Sequence, residues 1–249
     1  MELEVLHSEA ESPEGDNSGL AYLNFEDTLP RERTLVVIGP PRSGTSMAAR
    51  ALAWLGIPMG VPVPAPARLV NYEDPEFVSL LHVPSRDHVD RERLRCLINY
   101  RNRMYRVWGF KVPMAAMSLE LLAENLRNPF FVFVYRDLFA AALRNLVAMN
   151  APLLATLQLS IDLYSEMLHF LQQAPGPCML VSYEKALQRP TLLCSGLARF
   201  AGADVSYDML SAAVAQIQAN HPEYLQRVVD ARRELGLSGR DRTESLDPR

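Results

Sequence analysis

The sequence has almost no lysine. All but two of its 25 basic residues are arginine, and the exceptions are Lys111 and Lys185. A bias of that size reflects overall composition more than chemistry, so a lysine that is retained hints at a reason for it. Cysteine is scarce too. Cys96, Cys178 and Cys194 are odd in number and far apart, which excludes a disulfide framework or a cysteine metal site and leaves buried, reduced thiols. No apolar run reaches the roughly 20 residues that a membrane-spanning helix needs. The N-terminal stretch "MELEVLHSEAESPEGDNSG" lacks the basic start and apolar core of a secretory signal. These absences point to an intracellular, cytoplasmic protein with no stable membrane insertion. A large positive charge is missing as well. The formal net charge is −4, and residues 1–27 carry eight acids with no Lys or Arg, which leaves +4 on residues 28–249. That mild basicity suits an anionic ligand and is too small to argue for nucleic acid.

What is present is enough for one sizeable domain: 249 residues, 49% hydrophobic and 22% charged. Residues 1–30 are acidic and weakly patterned and read as a mobile tail, although "LAYLNF" (20–25) has the composition to dock. Residues 31–230 read as a single α/β domain, and 231–249 as a charged tail. Short β-rich runs lie at 34–38 ("TLVVI"), 107–112 ("VWGFKV"), 130–135 ("FFVFVY") and 178–183 ("CMLVSY"). Helical stretches separate them, at 44–55, 86–106, 115–126, 138–149 and 152–173, with two more at 191–202 and 207–219. Gly56 reads as the stop of the first helix. Residues 60–77 are proline-rich and read as irregular. The arginines of 86–106 read as a solvated helix face, and the leucine-rich 152–173 as mainly core with part of it walling a pocket. Alternating strands and helices imply a three-layer fold, a parallel sheet flanked by helices, with ligands at the C-terminal ends of the strands.

The most informative piece follows the first strand: Gly39-Pro-Pro-Arg-Ser-Gly-Thr-Ser46. Its glycines have the spacing of a triphosphate-binding loop, G-x-x-x-x-G-K-[ST], but Thr45 stands where the lysine belongs. An anion site remains. Gly44 lets backbone amides turn inward, the helix N-terminus adds unpaired donors, the hydroxyls of Ser43, Thr45 and Ser46 add more, and Arg42 adds a fixed cation. The alternative is a plain strand-to-helix turn capped by Ser and Thr. Two glycines in register, three hydroxyls and an arginine exceed what a cap needs.

"PPRSGTS" resembles the 5′-phosphosulfate-binding loop of the sulfotransferases, in the arginine form seen in glycan, tyrosyl-protein and many bacterial branches. "NYEDPEF", "WGFKVP", "FVFVYRDLFAAALR", "VSYEKALQRP" and "LARFAG" are similar, in order, to further stretches of bacterial members, so the resemblance runs from about 34 to 202. It implies a P-loop NTPase-like fold and transfer of a sulfuryl group from 3′-phosphoadenosine 5′-phosphosulfate (PAPS) to a hydroxyl of a small-molecule or glycan acceptor. The product would be 3′-phosphoadenosine 5′-phosphate (PAP), and no metal is required.

The resemblance also implies roles. Arg42 and the loop from Ser43 through Gly44 and Thr45 to Ser46 would hold the 5′-phosphosulfate, with Arg42 stabilising the leaving oxygen. Arg136 matches an arginine that contacts the 3′-phosphate. Arg144 stands where the family has a serine for the same phosphate. Tyr183 matches a tyrosine near the adenosine. The histidine that serves as base in the cytosolic branch is absent after Lys111. Glu73 is the first choice for that role and Asp74 the second, with His82 and His88 as further candidates; a pair of acids capping a helix before Pro75 is the competing reading. Lys111 takes a supporting catalytic role toward sulfate or acceptor. Two alternatives stay open on the sequence: a catalytically impaired nucleotide-binding scaffold, and, against the missing lysine, a P-loop kinase.

Overall fold

The apolar run around Val36 forms the centre of the molecule. The computed structural model describes residues 18–60, 72–83 and 86–218. Five strands make one sheet: β1 (Leu20–Leu23), β2 (Arg33–Ile38), β3 (Val107–Lys111), β4 (Pro129–Tyr135) and β5 (Cys178–Ser182). Their order is β1-β5-β4-β2-β3. The last four run parallel, whereas β1 pairs antiparallel with β5, Leu20 opposite Val181 and Leu23 opposite Cys178.

Both faces of β2 are dry, as its unbroken apolar run requires. Leu35 and Val37 join Phe130, Val132, Val134, Met179 and Val181 under α1 (Thr45–Trp54), α8 (Pro190–Ala201) and α9 (Tyr207–Gln218). Val36 and Ile38 join Trp108, Phe110, Phe131 and Phe133 on the other face. That face is covered by α2 (Pro75–Leu81), α3 (Arg91–Met104), α4 (Leu119–Asn125) and α6 (Leu153–Leu171). A period of two along each strand thus sorts the side chains into two cores, and the expected three-layer α/β fold is present. Two further helices, α5 (Leu138–Met149) and α7 (Tyr183–Gln188), complete the described elements, with 3-10 turns at 86–88 and 113–118. Ala48, Ala49 and Ala51 are fully buried and let α1 lie close to the sheet. Its stop is Gly56, at φ 87°.

The structure corrects the sequence reading at several points. Residue 30 is too late a boundary for the tail. Leu20–Leu23 is already a strand, because its alternating side chains cover the rim of β5 while Tyr22 and Phe25 stack near Phe200. The proline-rich 60–77 ends in a helix, α2, whose N-cap is Asp74 and whose first residue is Pro75. The arginine-rich stretch is not wholly solvated, since Arg101 is 6% exposed. In α6 only one stripe is core: Leu163 and Met167 are buried, but Leu154, Ile161 and Leu168 face solvent. The far ends, 1–17 and 219–249, and hence the acidic tail proper and the charged C-terminal tail, lie outside the described residues.

Candidate active site

Four parallel strands deliver their C-terminal ends to one cavity of about 480 Å³. The loop after β2 forms its floor, Lys111 closes β3, Arg136 follows β4, and Tyr183 follows β5. β2 continues toward β3 on one side while β4 lies on the other. Open α/β sheets place ligands at this kind of switch point.

The loop has the backbone of an anion cradle. Arg42 sits at φ 68° and Gly44 at φ 103°, left-handed positions of the kind at which successive N–H groups converge on one concavity. Gly44 is the N-cap of α1 and supplies no capping side chain, and a helix start without such a cap presents its backbone N–H groups to an anion. Glycine is required there for a second reason. A Cβ would run into the ring of Tyr183. That ring also meets the Arg136 guanidinium, whose carbon is 4.4 Å from the ring centroid.

Arg136 ties the strand ends together. Its Nη1 donates to the Arg42 carbonyl at 2.8 Å, and its backbone N–H donates to the Tyr164 hydroxyl at 2.9 Å. Its Nε is buried with no hydrogen-bond partner among the described residues. Burial lowers the Arg136 pKa, Tyr183 pulls it back up, and the charge of Arg144 lowers it further. An arginine stays protonated through such shifts. Two guanidinium groups therefore face the same end of the cavity, and Arg144 lines it from α5.

On the opposite side, residues 72–74 run as a strap along the outer edge of β3, with Glu73 bridging Lys111 in parallel register. Lys111 Nζ donates to Glu73 Oε1 at 2.7 Å and to Ser46 Oγ at 3.4 Å. Burial pushes the Lys111 ammonium below its ordinary value, Glu73 draws it back up, and Arg42 lowers it again. The lysine missing from the loop's own sequence thus has a counterpart in space, Lys111, which reaches Ser46 from the neighbouring strand.

No protein-family model and no curated protein sequence matches the chain. Solved structures do. The sulfotransferase domain of the Synechococcus PCC 7002 olefin synthase superposes with a TM-score of 0.54 at 13% identity, over 87% of this chain and 93% of that one. Sulfotransferase STF9 from Mycobacterium avium aligns at 0.49 and 13% identity, over 83% of this chain and 77% of that one. A retinol dehydratase solved with retinol and PAP aligns at 0.45 and 13% identity, over 86% and 73%. The chain has the sulfotransferase fold.

Within this sulfotransferase fold the cavity collects most of the residues singled out from sequence. Arg42, Gly44, Thr45, Ser46, Glu73, Lys111, Arg136, Arg144 and Tyr183 all line it, as does His82. Four expectations need correction. The Ser43 side chain is fully buried, with its hydroxyl turned inward toward Gly39 and without a partner among the described residues, and its N–H donates to the Pro40 carbonyl at 3.0 Å, so Ser43 shapes the loop and does not line the cavity. Asp74 does not line the cavity. It is fully buried, caps α2 through Glu76 N and Phe77 N, and pairs with Arg101, which removes it as a base. His88 lies outside the cavity, in the 86–88 turn. No residue of α6 lines the cavity either.

Sequence reasoning passed over Arg50 and Asn145, which also line it. Arg50 follows Ser46 by four residues, so the face it shares with the loop was readable from helical spacing. Its guanidinium lies 5.6 Å from the centroid of the Tyr72 ring. No helix among the described residues is long and apolar enough to cross a membrane. No cluster of three or more potential metal ligands occurs among them.

Proposed function

We propose that the protein is a PAPS-dependent sulfotransferase acting on a hydroxyl of a small-molecule or glycan acceptor and releasing PAP. The observation that carries this reading is the convergence of a lysine-free phosphate loop and the Lys111–Glu73 pair on one cavity. The residues fit the nucleotide. The uncapped start of α1 and the loop cation face a phosphosulfate, and the Arg136 guanidinium beside Arg144, its buried Nε without a hydrogen bond and 4.0 Å from the Glu184 carboxylate, fits a second dianion.

PAPS supplies an activated sulfuryl group, which is transferred as the acceptor O–S bond forms and the S–O bond to the 5′-phosphate breaks. Glu73 accepts the proton of the acceptor hydroxyl. Arg42, the amides of residues 44–46 and Lys111 stabilise the charge that builds on the leaving phosphate oxygen. Lys111 contacts both Ser46 and Glu73, so one ammonium spans the leaving side and the acceptor side and sets the line of transfer. Arg136 and Arg144 bind the 3′-phosphate, and Tyr183 flanks the nucleoside. None of these steps calls on a metal.

Calorimetry with PAP, AMP and ATP tests the binding half. PAP is expected to bind most tightly, and Arg42→Ala to abolish it. Equal affinity for PAP and AMP would sink the assignment, and tight Mg·ATP binding would favour a kinase. Consumption of labelled PAPS across an acceptor panel tests the chemistry. Binding of PAP without any turnover of PAPS would point instead to a nucleotide-binding protein that has lost catalysis.

A further inference from the structure

The strap that carries Glu73 is irregular. Among the described residues it meets β3 through one bridge, at Lys111, and Tyr72 before it, packed against the core beside Arg50, sits at φ 59°, a left-handed conformation that an aromatic residue does not adopt unaided. Its anchor is the next residue. Asp74 is fully buried and divides its carboxylate between two tasks. Oδ1 accepts the N–H groups of Glu76 and Phe77 at 3.0 and 3.3 Å, and Oδ2 accepts Arg101 Nη2 at 3.0 Å. The same Arg101 nitrogen donates to Glu76 Oε2 at 2.6 Å. Gly60 packs against the other side of Asp74, where a Cβ would come within 3.1 Å of the Asp74 Cβ. Arg101 itself is held by α3, which is seated in the core through Leu94, Leu97 and Ile98. It does not line the cavity, so it acts only through what it holds.

We propose that Arg101 is a positioning residue: by gripping Asp74 it fixes the Glu73 carboxylate against the Lys111 ammonium. Its importance for turnover rests on the sulfuryl transfer proposed above, but its grip on the strap does not. A buried carboxylate deprived of its cation does not stay both charged and in place. Because Asp74 directly follows Glu73, any shift of Asp74 carries the bridge with it. Among the described residues the groups that face Lys111 are Glu73, Ser46 and Arg42, so loss of Glu73 leaves the ammonium facing a neutral hydroxyl and a like charge there.

The chain contains only two lysines, so lysine-labelled protein gives two side-chain NMR signals, and the titration of Lys111 can be followed directly. Glu73→Gln defines the signal of the lost pair, with a lowered midpoint. In Arg101→Met the midpoint should move most of the way to that value, whereas Arg101→Lys should stay near wild type. Arg101→Met combined with Asp74→Asn guards against unfolding, since it removes the ionic grip on the strap without leaving an uncompensated buried charge. It should show the same shift. In turnover the double variant should lose about tenfold or more in kcat at unchanged PAP affinity. The proposal is overturned if the folded double variant titrates like wild type, if Glu73→Gln does not move Lys111, or if kcat and PAP affinity fall together. Absence of turnover in wild type with the titration result intact would refute the transfer reaction and leave the grip on the strap established.

Discussion

On the β4–β5 side of the cavity, Arg136 and Tyr183 leave the ends of parallel strands and lock onto the loop through a carbonyl, a ring face and a missing Cβ. On the β3 side, Glu73 arrives on an irregular strap and is held by ionic contacts reaching back to α3. The first wall is made of side chains that leave the ends of central strands and grip the loop's backbone. The second is made of ion pairs between side chains, and it borders residues 61–71, which lie outside the described residues. On the proposed function, anion binding and acceptor activation would therefore be built to different tolerances, a phosphate half gripping the loop's backbone and an acceptor half held by side-chain ion pairs.

Gly44→Ala should break that division most severely. The new methyl group meets the Tyr183 ring and forces a non-glycine residue to φ 103°, a combined penalty of about 3 kcal/mol or more. PAP binding should vanish and the melting temperature should fall, as calorimetry and thermal unfolding would show. Next comes Arg136→Ala, which removes one charged contact worth about 2 kcal/mol. PAP affinity should drop to near that of AMP, while AMP itself is little affected; an equal loss for both nucleotides would mean that Arg136 supports the loop rather than the 3′-phosphate.

Lys111→Met separates the walls in the other direction. Turnover should be lost with PAP affinity reduced much less. The folded Lys111 pKa lies below its ordinary 10.5, so between the two values the unfolded chain binds more protons. Wild-type stability should therefore rise with pH in that window, and the rise should be absent in the variant, as urea unfolding at several alkaline pH values would show. The smallest effect concerns neither wall. Burial pushes the thiols of Cys178 and Cys194 up to about 12. A thiol reagent should label Cys96 alone in the native protein, because Cys96 is the exposed cysteine, and all three on unfolding.

The sequence was legible where structure repeats with a short period. β2 and β4 stood out because both of their faces are buried, and the loop because its glycines and hydroxyls fall within one turn. Leu20–Leu23 was obscured by its acidic surroundings, since an edge strand of four residues carries only two inward side chains. At Asp74, "DPEF" did spell a helix start, and the competing reading of that acid as a cap was the right one. What could not be read was Arg101. Its partner lies 27 residues away, and nothing in a solvated-looking run of arginines marks the one that turns inward. Ser43 erred the other way: a hydroxyl in a phosphate loop looks like a donor until the chain direction shows it pointing under Gly39.

The two rims of the sheet have a mechanical side as well. Beyond β5 the sheet ends in four antiparallel residues, and beyond β3 it ends in isolated bridges at Met59 and Glu73. Among the described residues neither border offers a long, regular row of free amides and carbonyls to a foreign strand. The strap that orients a carboxylate in the cavity therefore also serves as a selvedge, finishing the fabric so that it neither frays nor is stitched to its neighbour.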